Sequence, residues 1–544
     1  MKSLWQWVKQ WEQQSLGVQS GLIAAGFWLV AGVGWLLNPR SGAKFLGLAI
    51  APPPPSSSLS AHWDLASYGA LALQSQCSAF YPLWPRVIEL LFHPTTLEGA
   101  IADFRLLATL LFWVSIPLAL QVFRGFLGDR TLAFAITLLY YLSPLAIFRV
   151  IGYTEGLFGL LSLGLFWFLI PRSRSPFSSQ VWDIIQAFGL FTLSGLLSLT
   201  RPMVLQTLGS AVFTLITLKI LSFLQGLEFS SSSIQLSSSI QSVNSGNSSN
   251  ASNLKPRPIS SRNSFHSSQK SPQSDGLSPG MITGVLILGA IVGYSLYGWQ
   301  CWQQTGNFWD PFAQQANWNK SLGFRPWLLL SSRSPLVDLW ALYSPALVAT
   351  LAVGQLLSQA QAPPLRLWGG LGTLILAAYP PLWTIVQLWG NRGWIPQVSR
   401  WLTSLKLQDL LAAKSPDLSP DLSPDIYQNT SPGSPSGLSQ EALPLPSLAP
   451  DAPPPSPTLL HHYGFWLALY LAGSNTAIAL LTQDRLVSLG RYVFGQPFFF
   501  LALGAIAPCY GSKTQRWIFW SLLGVSAIAL LEQWVRYGHH QWLG

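Results

Sequence analysis

Apolar stretches about as long as a membrane-spanning helix recur along the whole chain. A transmembrane α-helix needs about 20 predominantly apolar residues, and the first such stretch, 18–37, contains no charged residue. The further apolar cores lie at about 105–123, 131–148, 156–171, 184–200, 203–218, 281–300, 339–357, 367–390, 463–483, 492–510 and 517–531. The sequence therefore predicts an all-α polytopic membrane protein with roughly 11–12 hydrophobic segments, some of them short enough to be re-entrant.

The charge content excludes several classes of protein. Only 9% of the 544 residues are charged and 49% are hydrophobic, whereas a soluble domain carries about 25% charged residues. A soluble enzyme, a nucleic-acid-binding module and a disordered scaffold are excluded on this ground. The net charge of +10 is better explained by Lys and Arg residues that keep membrane loops on the cytoplasmic side.

The positions of these basic residues predict an orientation in the membrane. Four clusters of basic residues are predicted to be cytoplasmic: Lys2 with Lys9, Arg124 with Arg130, Arg172 with Arg174, and Lys513 with Arg516. The loops 38–104 and 300–335 and the turn at Tyr153 then face the periplasm or an organelle lumen. The expected location is the bacterial plasma membrane or the endoplasmic reticulum membrane, with the functional face outside the cytoplasm.

Two biased segments divide the chain into three membrane parts, 1–225, 281–390 and 459–544. Residues 226–280 are Ser-rich and are predicted to be a disordered cytoplasmic linker, and residues 391–458 form a linker rich in Pro and Ser. The basic residues from Arg392 to Lys414 place the second linker in the cytoplasm, whereas counting crossings from the loop 300–335 places it outside. One segment between 326 and 483 must then be re-entrant or split.

The first candidate for chemistry is Asp64, in the first outside loop. It follows Trp63 and precedes Tyr68, and an aromatic stretch follows at 79–85. A carboxylate beside aromatic rings just above the bilayer can act as a general base on a sugar hydroxyl. The alternative is an interfacial aromatic belt with an ordinary solvated aspartate.

Glu155 is the second candidate because it begins a long apolar run. An unpaired carboxylate inside the bilayer is costly, so Glu155 is expected to face a polar cavity or to pair with a base such as Arg149. The alternative is a helix-start acid that is favoured by the helix dipole.

Arginines near the ends of apolar runs are the third kind of candidate. Arg201 and Arg491 are expected to lie at the outside face, and Arg325 follows the loop that contains Asp310. A guanidinium group forks onto two phosphate oxygens, although a single arginine at an interface is more often an anchor that reaches toward water.

Taken together, these residues resemble the PIG-V family, whose eukaryotic member is the second mannosyltransferase of glycosylphosphatidylinositol-anchor synthesis. The motifs that carry the resemblance are Trp63-Asp64 with Tyr68, Phe80 to Pro85, Tyr153 to Phe158, Thr200-Arg201-Pro202, Gln315 with Trp318, and Ser488 to Tyr492. The resemblance implies a GT-C-type helix bundle that transfers mannose, or a related hexose, from a polyprenyl- or dolichyl-phosphate sugar to a lipid-linked or glycan acceptor, with inversion.

The resemblance also implies roles for individual residues. Asp64 would be the catalytic base, and Arg201, Arg491 and Arg325 would bind the donor phosphate. The expected substrate-pocket residues are Trp63, Tyr68, Tyr153, Glu155, Asp310, Gln315, Trp318 and Tyr492. No metal and no cofactor is expected beyond the lipid-phosphate sugar, and a partner subunit is compatible with this interpretation.

Two other functions remain open, a lipid or sugar transporter (or flippase) and a non-catalytic subunit on the same fold. Transporters often carry internal repeats, and none pairs the halves of this chain. Cys77 and Cys301 both fall on the predicted outside face and can pair in an oxidising compartment. Sequence does not show that they approach each other, so free thiols are the expected state.

Overall fold

The computed structural model describes residues 11, 13–37, 44–45, 48–49, 64–170, 179–243, 277–315, 323, 328, 336–359, 462–483, 488–509 and 512–538. Within these ranges the chain forms fifteen α-helices, two short 3-10 turns and one hairpin of two strands with two residues each. This composition confirms the all-α fold.

The helices are numbered here in chain order. They are α1 (Leu16–Leu36), α2 (Asp64–Leu73), α3 (Leu83–Phe92), α4 (Leu97–Leu127), α5 (Arg130–Tyr141), α6 (Glu155–Leu169), α7 (Ser179–Thr200), α8 (Val204–Val243), α9 (Pro279–Thr305), α10 (Asp310–Ala313), α11 (Leu336–Gln359), α12 (Tyr463–Thr482), α13 (Leu489–Phe494), α14 (Pro497–Ile506) and α15 (Ser512–Gly538). The hairpin pairs β1 (Lys44–Phe45) antiparallel with β2 (Leu48–Ala49).

Eight helices in the described part of the chain are long and apolar enough to cross a membrane. They lie within α1, α4, α7, α8, α9, α11, α12 and α15, and the shorter apolar helices α6 and α14 accompany them. The protein is therefore a multi-pass integral membrane protein. The predicted segment 367–390 lies outside the described residues.

Local sequence signals set the ends of the long helix α4. The Thr96 side chain accepts a hydrogen bond from the Gly99 N–H at 3.1 Å and caps the start of the helix. Such a cap satisfies one of the backbone N–H groups that a helix start leaves without a partner. Gly128 ends α4 with φ of 69°, a conformation that favours glycine.

Two of the predicted apolar segments are broken rather than continuous. The segment 131–148 ends as a helix at Tyr141 and continues through a turn into a 3-10 turn at Ala146–Arg149. Pro144 explains the break, because the residue before a proline disfavours helical backbone. The segment 492–510 breaks between α13 and α14 at Gly495-Gln496, and Pro497 takes the first position of α14, where its missing N–H is tolerated.

Helix α8 runs past position 226, where the Ser-rich linker is predicted to start. Helix α8 continues to Val243, well into the segment expected to be disordered. Serine costs only about 0.5 kcal/mol in a helix relative to alanine, and a helix that is already nucleated extends at low cost.

The polar ends of several elements meet at one end of the bundle, which is called the site face below. Asp64 starts α2, Glu155 starts α6, Arg201 follows α7, and α13 carries Arg491. At the opposite face, the start of α12 meets the end of α4, where the ring of His462 lies 5.3 Å from that of Phe126.

This arrangement bears on the predicted topology of residues 391–458, which themselves lie outside the described residues. Helix α11 starts at the site face, where Asp338 binds the Gly490 N–H, and its 24 residues carry it toward the opposite face, since an α-helix rises about 1.5 Å per residue. Helix α12 starts at that opposite face. The described residues on either side of 360–461, Gln359 and His462, therefore lie toward the same face of the bundle.

Candidate functional site

Four charged side chains form a single cluster at the site face. They come from four separate parts of the chain, Asp64, Glu155, Arg201 and Arg491. Each is the first residue of a helix, directly follows one, or lies in the short helix α13. The charged residues thus lie at helix ends or in a short helix, so they do not interrupt the apolar runs of the spanning helices.

Glu155 is the centre of this cluster. Its Oε1 atom lies 2.6 Å from Nε of Arg491 and also forms an ion pair with Nη2 of Arg201. The Glu155 side chain is fully buried, with 0% exposure. Because one carboxylate oxygen contacts both guanidinium groups, the two arginines are held close together.

Asp64 occupies the outer edge of the cluster. Its Oδ2 atom lies 3.0 Å from Nη1 of Arg491, and 12% of its side chain is exposed. On the other side, Arg201 donates hydrogen bonds from Nε and Nη2 to Oγ1 of Thr154, at 3.2 and 3.0 Å. The order across the cluster is therefore Asp64, Arg491, Glu155, Arg201 and Thr154.

Aromatic rings enclose the two arginines. The guanidinium carbon of Arg491 lies 5.2 Å from the ring centroids of Phe148 and Tyr153 and 5.3 Å from that of Tyr492. Arg201 lies 5.2 Å from the Tyr492 ring. Contacts of this kind favour a cation over the ring face, so the rings stabilise the positive charges.

The environment keeps the nearby phenol groups neutral. Burial, and then the negative charge of Asp64, raise the pKa of both Tyr68 and Tyr153 above the usual value of a phenol. Burial alone would lower the pKa of Arg491, but Glu155 and Asp64 raise it, and the net direction is upward. The site therefore presents charged guanidinium groups beside uncharged hydroxyl groups.

The outcome for Glu155 differs in part from the sequence expectation. It stands at the start of α6, where the helix dipole favours an acid, and it is also paired, but its partners are Arg201 and Arg491 rather than Arg149. Arg149 instead donates to the backbone carbonyls of Tyr140, Phe494 and Gly495. Sequence spacing favoured Arg149, which is close to Glu155 along the chain, whereas the fold brings Arg201 and Arg491, which are distant in sequence, into contact with Glu155.

A disulfide bond joins the loop after α2 to the end of α9. Cys77 and Cys301 are bonded across 224 positions of the sequence, so the expectation of free thiols is wrong. The two segments approach because the side chains of α9 and the residues after it hold the loop: Gln304 accepts from the Cys77 N–H at 2.6 Å, and Gln315 donates to the Ala79 carbonyl at 3.1 Å.

The same loop connects to the charged cluster through aromatic contacts. The Tyr297 hydroxyl donates to the Ser78 carbonyl at 2.7 Å, and the Phe80 ring packs 5.0 Å from Tyr68. Tyr68 in turn lies 6.3 Å from Tyr153. The disulfide-linked loop therefore forms one wall of the site.

The structure brings together most, but not all, of the sequence-predicted site residues. Asp64, Tyr68, Tyr153, Glu155, Arg201, Arg491 and Tyr492 meet at the cluster, and Gln315 binds the neighbouring loop. Asp310 binds Gln314 in its own segment, at 2.7 Å, and no ion pair among the described residues joins it to the cluster. Trp63, Trp318 and Arg325 lie outside the described residues.

Sequence reasoning missed two residues that support the site. Asp338 is fully buried and binds the backbone of α13, and Asn475 donates to the Tyr492 carbonyl at 3.2 Å. The available signal was that Asp338 is an isolated acid at the start of an apolar run, and an ionisable residue in such a position is a functional candidate by default.

No protein-family model, no curated protein and no solved structure matches this chain. The fold and the cluster together define a multi-pass membrane protein with a buried, charge-paired site at one end of its helix bundle.

Proposed function

We propose that this protein is an inverting membrane glycosyltransferase that transfers mannose, or a related hexose, from a polyprenyl-phosphate sugar to a lipid-linked or glycan acceptor. The observation that carries the proposal is the arrangement of Asp64, Arg491, Glu155 and Arg201 in one chain of ion pairs. This arrangement sets a partly accessible carboxylate beside two converging guanidinium groups. The resemblance to the PIG-V family adds the class of donor.

The two arginines are suited to bind a lipid phosphate. In the described part of the chain, Arg491 uses Nε and Nη1 for its contacts with carboxylates. Arg201 uses Nη2 for Glu155 and Thr154, and Nε for the Thr154 hydroxyl. Their remaining terminal nitrogens, Nη2 of Arg491 and Nη1 of Arg201, supply donors for phosphate oxygens. Donors that are fixed before the reaction stabilise the charge of a departing phosphate more effectively than water does.

Asp64 supplies the base in this proposal. It accepts the proton of the acceptor hydroxyl, whose oxygen attacks the anomeric carbon of the donor sugar. The new bond joins that carbon to the acceptor oxygen, the bond to the phosphate oxygen breaks, and the lipid phosphate leaves with the electron pair. A positioned base contributes about 10²–10⁴-fold to such a reaction.

In this proposal the site face lies on the periplasmic or lumenal side. The disulfide between Cys77 and Cys301 borders the site, and disulfides persist in oxidising compartments. Arg124 and Arg130, at the end of α4 and the start of α5, belong to the opposite face, as the rule for basic cytoplasmic loops requires.

Mannose transfer by the purified full-length chain tests the proposal. Polyprenyl-phosphate-mannose is supplied with an extract of membrane lipids as the source of acceptors. Wild type is expected to transfer mannose, and Asp64→Asn to reduce the rate by about 10²-fold or more. Asp103→Asn, which changes a half-buried aspartate of α4, serves as the control and is expected to retain activity.

Two outcomes would contradict the proposal. Equal rates for wild type and Asp64→Asn would remove Asp64 as the base. If wild type transfers sugar from no polyprenyl-phosphate donor, the transporter or non-catalytic interpretation is favoured instead.

A further inference from the structure

The short helix α13 carries Arg491, the residue that links the two carboxylates of the site. It has only six residues, and an isolated helix of that length is unstable in water. Arg491 can meet Asp64 and Glu155 together only if this helix is fixed by other parts of the protein. The contacts at its two ends show how.

Asp338 of α11 holds the start of α13. Its Oδ1 atom accepts a hydrogen bond from the Gly490 N–H at 2.6 Å, and its side chain is fully buried. The helix has no side-chain cap of its own, because Ser488 stands at the cap position with φ of 60° and makes no capping hydrogen bond. A carboxylate from another helix therefore satisfies an N–H group at the positive end of the helix dipole.

The approach of α11 to α13 is close and depends on glycine. A Cβ atom at position 490 would lie 2.7 Å from Cγ1 of Val337 and 2.8 Å from Cδ1 of Leu145. These distances are shorter than van der Waals contact, so a Cβ atom at position 490 would displace the Val337 and Leu145 side chains that pack against α13.

Arg149 holds the other end of α13. Its Nη2 atom donates to the carbonyls of Phe494 and Gly495, both at 3.2 Å, and its Nη1 atom donates to the Tyr140 carbonyl at 2.9 Å. The last carbonyls of a helix lack partners within the helix, and a cation is favourable at that end of the dipole.

We propose that Asp338 and Arg149 are positioning residues that clamp the two ends of α13, so that Arg491 reaches Asp64, Glu155 and the donor phosphate. The part that concerns the phosphate rests on the proposed function. Neither residue forms an ion pair with a member of the charged cluster in the described part of the chain, so each acts through the backbone that carries Arg491.

The first test measures the local stability of α13 and does not depend on the proposed function. Amide hydrogen exchange is followed in the peptide 488–496 for wild type, Asp338→Leu, Asp338→Asn and Thr283→Val. We expect Asp338→Leu to speed exchange in this peptide about tenfold and Asp338→Asn, which keeps an oxygen acceptor, to have a smaller effect.

Thr283→Val is the matched control for this measurement. It removes a buried hydrogen bond between the hydroxyl groups of Thr283 and Tyr463, at 2.9 Å, that does not involve α13. Exchange in 488–496 should stay unchanged in this variant. Unchanged exchange in both Asp338 variants would overturn the proposed clamp.

The second test asks whether the clamp acts through Arg491. Binding of polyprenyl phosphate to the full chain in lipid nanodiscs is measured for Asp338→Asn, Arg149→Gln and Arg149→Lys, each alone and combined with Arg491→Ala. Asp338→Asn and Arg149→Gln are expected to weaken binding about tenfold in the wild-type background but less than about twofold when Arg491 is already absent. Arg149→Lys should recover part of the affinity.

The two tests separate this inference from the proposed function. Equal weakening of binding with and without Arg491 would overturn the role of the clamp. If wild type binds no polyprenyl phosphate while exchange in 488–496 still responds to Asp338, the proposed function fails and the clamp of α13 stands.

Discussion

Glu155 shows at the scale of single residues how this chain keeps charge inside a membrane protein. Its carboxylate is fully buried and contacts both Arg201 and Arg491. Removing one member of a buried ion pair costs far more than an ion pair contributes, because the remaining charge is left without compensation. The cluster is therefore expected to be sensitive to a neutral substitution at its centre.

Glu155→Gln should destabilise the protein strongly. Among the described residues, the change leaves Asp64 as the one carboxylate paired with these two buried guanidinium groups, and a loss of about 3–5 kcal/mol of folding stability is expected. The measurement is the Tm of the purified protein in detergent. Glu532→Gln is the control, because Glu532 forms a partly exposed pair with Arg536 and should lose at most about 1 kcal/mol. Similar effects for both variants would contradict the central role of Glu155.

His462 makes the stability depend on pH. Burial lowers the pKa of His462 from 6.5 to about 4, and its Nδ1 atom must stay unprotonated to accept the Gly464 N–H at 3.1 Å. As pH falls, His462 is protonated at a higher pH in the unfolded chain than in the folded protein. The contribution of His462 is thus complete above pH 6.5 and declines as pH falls toward 4.

Between pH 7.5 and 5, His462 alone is expected to lower the free energy of unfolding by about 1–2 kcal/mol. His462→Asn keeps a side-chain acceptor for the cap and does not titrate, so its Tm should fall less over this interval. His93→Asn changes an exposed histidine, and the Tm of this variant should fall as much as that of wild type over the same interval. A pH dependence unaltered by His462→Asn would refute this assignment.

At the scale of elements, α7 and α9 pack through their backbones. A Cβ atom at Gly293 would collide with the carbonyl oxygen of Gly195, and one at Gly289 would collide with that of Phe191. Within a membrane, lipid tails are as apolar as the helix surfaces, so close backbone packing of small residues is a main source of helix association. These glycines fix how the C-terminal end of α7, next to Arg201, sits against α9.

Gly293→Val should separate the two helices and lower stability by about 3 kcal/mol. Gly284→Val is the matched control on the same helix, because nothing lies within 4 Å of a Cβ atom at that position. The Tm in detergent measures both. An equal, small effect of the two variants would show that α7 and α9 do not depend on this contact.

At the scale of the whole molecule, the disulfide ties the loop after α2 to the end of α9, in the middle of the chain. It closes a loop of 224 residues and holds the segment whose Phe80 packs on Tyr68. A cross-link over a long loop stabilises the folded chain by about 2–4 kcal/mol, mainly by restricting the unfolded state.

We expect Cys77→Ser to lower the Tm, and Cys301→Ser to lower it by the same amount. The double variant should have the same Tm as either single variant. The physical reason is that either change alone removes the cross-link. Cys509→Ser is the control, since the structure bonds Cys77 to Cys301. Additive effects of the two single changes would contradict the cross-link.

Several features of this fold could be predicted from the sequence because they depend on local composition. Membrane spans follow from the length of apolar runs, and rare charges at the ends of those runs identified Asp64, Glu155, Arg201 and Arg491. Pairing could not be predicted in the same way. Arg491 lies 427 positions from Asp64, and no periodicity along the chain encodes a contact of that kind.

By itself, the sequence determined the class of this protein, since too few charged residues are present for a water-facing surface and the apolar runs match the thickness of a bilayer. It also indicated which polar residues are candidates for a functional role, because a charged side chain in an apolar setting is costly and is retained where it serves a function. Only the tertiary structure decided that Glu155 joins Arg201 and Arg491, that Cys77 meets Cys301, and that Asp338 and Arg149 hold α13. Those contacts depend on how the helices pack, and packing is set by the shapes of residues far apart in the chain.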